Sequence, residues 1–176
     1  TTASGNNSTA IGKSTTASGI ISTAMGNSTT ASGNTSTAMG KSTTASGNNS
    51  TAIGKSTTAS DYGSLVIGQY NLSGATVTNS ATQFNTANTA FVIGNGADGS
   101  NSDAFKVLFN GNTTATGSVT ATSFIGDGSQ LSNIPSASIA FTDLTSTPTT
   151  IDGYGITDAG TGILSPVTEN SNTGVR

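Results

Sequence analysis

The sequence predicts an all-β chain: a β-solenoid of 14-residue repeats over residues 1 to about 70, then irregular segments of short strands. Three observations predict it. Thr1–Ser14 reads T-T-A-S-G-N-N-S-T-A-I-G-K-S, and residues 15–28, 29–42 and 43–56 repeat it without insertion. A fixed period of this kind marks a repeat architecture. Thr, Ser, Gly and Asn make up 101 of the 176 residues, and all four are weak helix formers. Each copy also carries two glycines half a period apart, such as Gly5 and Gly12, where tight turns are expected. One copy therefore reads as two short strands and two turns, one coil of a stack spaced about 4.8 Å apart.

Three kinds of position vary among the first four copies. The pair after the first glycine is Asn6-Asn7, Ile20-Ile21, Asn34-Thr35 and Asn48-Asn49. The second position is Ile11, Met25, Met39 and Ile53, always large and apolar, and is expected to form one buried column. The third is Lys13, Asn27, Lys41 and Lys55, always polar, and is expected in water. A period of two places Thr9 and Ile11 on one face of a strand and Ala10 on the other. One Ile or Met per 14 residues is a thin core. Several stacks side by side would bury the small faces of Ala3, Ala10, Ala17 and Ala24, which points to an oligomer. A fifth copy starts at Thr57 and drifts to T-T-A-S-D-Y-G-S-L-V-I-G-Q-Y.

The S-T-A-I-G and S-T-A-M-G elements on this period resemble the YadA-like head repeats of trimeric autotransporter adhesins. The usual element is closer to S-V-A-I-G, from which Thr9, Thr23, Thr37 and Thr51 depart and which Ser64-Leu65-Val66-Ile67-Gly68 restores. The resemblance covers residues 1–70 and implies parallel β-rolls, left-handed, in a homotrimer.

Residues 71–130 form a second segment. Thr89–Ile93 and Ala104–Phe109 are strand patterns, the latter with Phe105, Val107 and Phe109 on one face. The Gly/Asn/Ser/Asp-rich stretch between them is turn chemistry, so the pair reads as a β-hairpin with a long loop. Asn110-Gly111 is a further turn signal. Ser118–Ile125 is expected to be a strand, ended by Gly126-Asp127-Gly128.

Residues 131–176 hold Pro135, Pro148 and Pro166, all the prolines of the chain. Phe141, Leu144, Ile151, Tyr154, Ile156, Ile163 and Leu164 are too few for an independent core. Ser123–Ile134 contains G-D-G-S-Q-L-S-N-I, similar to an element of many phage tail fibres. Phe141–Thr150 followed by Gly153–Ala159 closely resembles a T-D-L-x-x-T-P-T-T-x-x-G-Y-G-I-T-D-A repeat of such fibres. These resemblances imply a homotrimer that mediates attachment to a host cell. The receptor, a glycan or surface protein, would be bound by a part outside these residues, and other virion tail proteins would be partners.

Composition narrows the chemistry. The chain has no Cys or His, which removes disulfides, Cys/His zinc sites and any triad built on His or Cys. Five basic residues against eight acidic ones argue against a nucleic-acid groove. No apolar run reaches the ~18 residues of a membrane helix, so no insertion is expected. The charge is uneven: residues 1–60 hold three lysines and no acid. The chain opens at Thr1 in mid-pattern and is expected to be a piece of a longer protein.

The remaining motifs have plain readings. Gly94-Asn95-Gly96-Ala97-Asp98-Gly99 spells G-x-G-x-x-G after a strand, but a strand pattern follows it, whereas a dinucleotide site needs a helix N-terminus. Asp98, Ser100, Asn101 and Asp103 offer oxygen atoms in one loop, yet calcium recruits more carboxylates in an ordered spacing; an Asx-stabilised turn is expected instead. Asp143, Asp152 and Asp158 are candidates for a glycosidase acid–base pair but sit in turn settings with no aromatic platform. The pairs Thr15-Thr16, Thr29-Thr30 and Thr43-Thr44 would stack as Thr rows of the kind ice-binding solenoids present, or simply as β-structure. No catalytic, cofactor-binding or metal-binding residue is expected, and the chain reads as structural: the shaft of a tail fibre on a virion or, as the alternative, an extracellular bacterial surface adhesin.

Overall fold

The computed structural model describes residues 1–74, 80–123, 125, 126 and 132. Residues 1–122 form one compact unit. Every regular element among the described residues is a strand. Each 14-residue copy supplies one short and one long strand. The short ones are β1 (Thr2–Ala3), β3 (Thr16–Ala17), β5 (Thr30–Ala31), β7 (Thr44–Ala45) and β9 (Thr58–Ala59). The long ones are β2 (Thr9–Lys13), β4 (Thr23–Asn27), β6 (Thr37–Lys41), β8 (Thr51–Lys55) and β10 (Leu65–Gln69). Short strands pair in parallel in one sheet, long strands in another, always with the residue 14 positions on. This is the expected solenoid, with about five coils.

Its interior is not the expected one. Ile11, Met25, Met39, Ile53 and Ile67 do stack in register as a single column. The column lies on the outside of the long-strand sheet: Ile11 is 53% exposed, Ile53 40%, and both methionines are half-buried. The interior is filled by Ala17, Ala24, Ala31, Ala38, Ala45, Ala52 and Ala59, all fully buried, with Thr15, Ser22, Thr29, Ser36, Thr43, Ser50 and Thr57. The alanines expected to be covered by a neighbouring stack are covered by their own coil, except in the first coil, where Ala3 is exposed and Ala10 half-buried. Coil size is the reason. A coil of one two-residue and one five-residue strand brings its sheets too close for Ile or Met. Among the described residues, the buried valines are Val66 and Val92, paired in the last two parallel strands, β10 and the strand that follows it in the sheet.

The turns also differ in their use of glycine. Of the two glycines per copy, Gly12, Gly26, Gly40 and Gly54 do take positive φ, between 123° and 130°, but the other left-handed positions are not glycine: Asn7, Ile21, Thr35 and Asn49 at one edge and Ser14, Ser28, Ser42 and Ser56 at the other. Gly19 is required for space instead: a Cβ there would collide with the backbone carbonyl of Gly33.

After β10 the chain makes one excursion and returns as β11 (Thr89–Asn95), parallel to β10 with Ile67 opposite Ile93. β12 (Asp103–Leu108) then pairs antiparallel with β11, the expected hairpin. The Asn110–Gly111 turn leads to β13 (Thr113–Ala115), antiparallel to β12. Phe105 and Val107 share a face, and the Phe105 ring packs edge-on against Phe91 at 6.3 Å. Phe109, just beyond β12, packs on Phe84 at 5.1 Å. The strand expected at 118–125 is absent among the described residues; β13 forms earlier and Ser118–Ser123 runs exposed.

Candidate interaction surface

The outward face of the long-strand sheet carries three columns. One is Thr9, Thr23, Thr37, Thr51 and Leu65; the second is Ile11, Met25, Met39, Ile53 and Ile67; the third is Lys13, Asn27, Lys41, Lys55 and Gln69. Parallel pairing holds neighbours within a column about 4.8 Å apart. The third column is exposed, as expected from its polarity. The face is therefore a flat strip with an apolar centre, a Thr/Leu border and a lysine-bearing border. Contiguous exposed apolar strips rimmed by polar residues mark association surfaces.

The edge preceding the long strands carries a ladder. The Asn34 N–H donates to Asn48 Oδ1 at 2.9 Å and the Ile20 N–H donates to Asn34 Oδ1 at 3.1 Å. Each Asn side chain thus satisfies the turn of the coil before it. The ladder stops at coil 2, because Ile20 has no oxygen to offer Asn6. Ile20 and Ile21 are about half exposed, at 48% and 55%, and Ile21 is held at φ 56°. A β-branched residue in the left-handed region is strained.

The far end of the solenoid is closed by residues that the sequence reading did not single out. Asn71 Nδ2 donates to the Thr58 carbonyl at 3.0 Å and Asn71 Oδ1 accepts from the Thr58 N–H at 2.7 Å. One side chain so replaces the missing next strand at the edge of β9, a way of blunting an edge. Asp61 stands where earlier copies have Gly5, Gly19, Gly33 and Gly47, is fully buried, and accepts from the Thr89 N–H at 2.8 Å. Asn88 Nδ2 donates to the Ser80 and Gln83 carbonyls. The drift of the fifth copy, T-T-A-S-D, was the available signal for this closure.

The loop motifs fall as turn structure. Gly94–Gly99 runs from β11 into a tight turn with Ala97 bridging Ser100, and β12 follows. No helix N-terminus meets the glycines. Asp98 is exposed, whereas Asp103 is buried and its Oδ1 accepts from the Leu72 N–H at 2.9 Å. Asn101 Nδ2 is engaged with the Asn71 carbonyl at 3.1 Å. Asp103 and Asn101 are thus engaged in separate contacts, and no group of three acidic, His or Cys residues that could hold a metal occurs among the described residues. Burial raises the Asp103 carboxyl above the usual range, opposed by the Leu72 N–H and by Lys106. Asp103 borders a cavity of about 380 Å³ together with Leu72, Asn95, Lys106, Thr114 and Thr116. Asp143, Asp152 and Asp158 lie outside the described residues.

The Thr pairs do not make a double row in water. Thr15, Thr29, Thr43 and Thr57 are buried, and only the second members, Thr16, Thr30, Thr44 and Thr58, reach the surface, half-buried.

Compared with known families, residues 3–29, 17–43 and 45–71 match the YadA head domain repeat. The matched segments start 14 or 28 residues apart, in phase with the coils. The solenoid, over residues 3–71, is thus similar to YadA head repeats. No curated protein and no solved structure matches the chain.

Proposed function

We propose that the chain is the structural shaft of a homotrimeric attachment protein, a phage tail fibre, which carries a receptor-binding part away from the particle. The carrying observation is the uncovered Ile/Met column on the long-strand face. The regular coils hold Ala, Ser, Thr and Gly inside and leave their Ile and Met side chains outside, and cyclic packing of three such faces would bury them. The YadA head repeat match over residues 3–71 supports a trimeric, surface-exposed element. The tail-fibre assignment rests on the resemblance of Ser123–Ile134 and Phe141–Ala159 to fibre repeats. Acting as a spacer, the segment needs no catalytic group and no cofactor, and its partners are two copies of itself, other tail proteins and a host receptor engaged elsewhere.

The family match itself favours a second reading, a bacterial trimeric adhesin on the cell surface. Both readings share the trimer. Sedimentation velocity is expected to give a trimer; a stable folded monomer would refute both. The remainder of the gene separates them: a C-terminal outer-membrane β-barrel anchor identifies an adhesin, and a tip or chaperone domain among tail genes identifies a fibre.

A further inference from the structure

Coil 2 departs from the other three regular coils at both ends of its long strand. The edge before the strand carries Ile20-Ile21 in place of Asn-Asn or Asn-Thr. The edge after it carries Asn27 in place of Lys13, Lys41 and Lys55. The apolar turn is costly on its own. It exposes two isoleucines, ends the asparagine ladder and strains Ile21. Within one chain the two departures cannot compensate each other, because six residues of strand hold Ile21 and Asn27 about 20 Å apart.

A cyclic trimer brings them together. Three faces closed head to tail form a triangle in which the edge that starts one side adjoins the edge that ends the next. Rotation about an axis along the stack keeps identical coils at the same height. Ile20-Ile21 of one protomer then adjoins Asn27 of its neighbour. A lysine there would bring its charge against two isoleucines and be desolvated. Asn27 removes that charge, and its Oδ1 already accepts from the Ser28 hydroxyl at 2.9 Å.

We propose that coil 2 is a register key: the Ile20-Ile21 turn of each protomer seats on the Asn27 edge of the next protomer's coil 2. The proposal rests on the trimeric reading of the long-strand face. It answers a problem that a repeat creates. The Thr and Ile/Met columns look nearly the same after a shift of 14 residues, so the face alone distinguishes registers poorly. A one-coil slip in either direction places the isoleucines against Lys13 or Lys41, which flank Asn27 in register. Specificity then comes from the penalty on the wrong pairings as much as from the contact in the right one.

The chain has no cysteine, so introduced thiols are unique. The experiment uses the full chain with the double variants Ile21→Cys/Asn27→Cys, Ile21→Cys/Lys13→Cys and Ile21→Cys/Lys41→Cys, a short bis-maleimide and a denaturing gel. The first pair is expected to give a covalent trimer, and the two slipped pairs single-chain bands. Sedimentation of the unmodified chain is run alongside. A monomer there removes the trimeric reading and the key with it. A trimer in which the 21–27 pair does not link, or in which a slipped pair links as well, overturns the key alone. A second measurement needs no cross-link. Asn27→Lys makes coil 2 resemble coils 1, 3 and 4, which fold. It is expected to weaken the trimer in the native background and to have little effect beside Ile20→Asn/Ile21→Asn, a coupling of about tenfold in dissociation constant per contact. Equal effects in both backgrounds would also overturn the key.

Discussion

Residues 2–69 and residues 89–115 extend one sheet by different physics. In the solenoid every strand is parallel, every neighbour lies 14 residues away, and the interior is a column of alanines. In the closing hairpin the strands β12 and β13 are antiparallel, and aromatic pairs and individual polar side chains carry the contacts. The repeat propagates because each coil offers the next the same surface. It ends where single residues break the pattern: Asp61 for glycine, Asn71 for a strand, Val66 and Val92 for alanine. The solenoid is therefore sensitive to phase and interior volume, whereas the closure depends on particular hydrogen bonds.

The largest effect is expected from phase. Deleting Thr29–Ser42 removes one whole coil, stacks Met25 on Ile53 and shortens the stack by about 4.8 Å. Stability should fall modestly, since a solenoid coil contacts only its neighbours. Deleting only Thr29–Thr35 removes a short strand and one turn, and should abolish cooperative folding and trimer formation. Thermal melts and sedimentation of both variants compare them. If the seven-residue deletion is tolerated equally, the 14-residue coil is not the unit.

Interior volume comes next. Ala38→Leu forces a large side chain between the two sheets and should cost about 3 kcal/mol or prevent folding. Met39→Ser, one position along, alters the outer face. It should change the isolated protomer by less than about 0.5 kcal/mol and weaken the trimer by about 2 kcal/mol per chain. Melting over a range of concentrations separates the two. A trimer indifferent to Met39→Ser would show that the column is not an interface.

That inside–outside contrast marks the limit of what was legible in the sequence. Period, strand pairing, the Ile/Met column and the hairpin were all readable, because repeat phase and turn chemistry are local. An alternation of two separates Thr9 and Ile11 from Ala10 but does not state which face is inside. Apolar size suggested Ile, and coil width decided for Ala. The repeat itself held a clue: in the four regular copies the interior position is always Ala (Ala10, Ala24, Ala38 and Ala52), while the outer one is either Ile or Met, as a looser site allows. Asn71 and Asp61 were not legible, because their partners Thr58 and Thr89 lie 13 and 28 residues away.

On the closure, Asn71→Ala leaves the Thr58 N–H and carbonyl at the edge of β9 without their side-chain partner. The expected loss is about 1–2 kcal/mol, read as a drop in melting temperature and faster hydrogen exchange at Thr58. Unchanged exchange there would show that Asn71 does not cap the edge.

The smallest effect concerns Asp103. Its carboxyl is raised by burial, so between its ordinary value and the raised one the folded chain binds more protons than the unfolded chain. Stability should therefore rise as pH falls through that window and decline as pH rises through it. The protonated acid still accepts from the Leu72 N–H through its carbonyl oxygen, so acidification relieves desolvation without losing that bond. Lys106 limits the size of the effect, because its charge favours the ionised form. Asp103→Asn keeps an oxygen for Leu72 and removes the charge. It should melt at the same or a higher temperature at neutral pH and show a flatter rise on mild acidification than the native chain. Lys106→Met should steepen that rise, since it removes the opposing charge. Melting curves of the three proteins across mildly acidic pH decide it: if Asp103→Asn retains the full pH dependence, other carboxylates govern acid stability and Asp103 is only a hydrogen-bond acceptor of the closure.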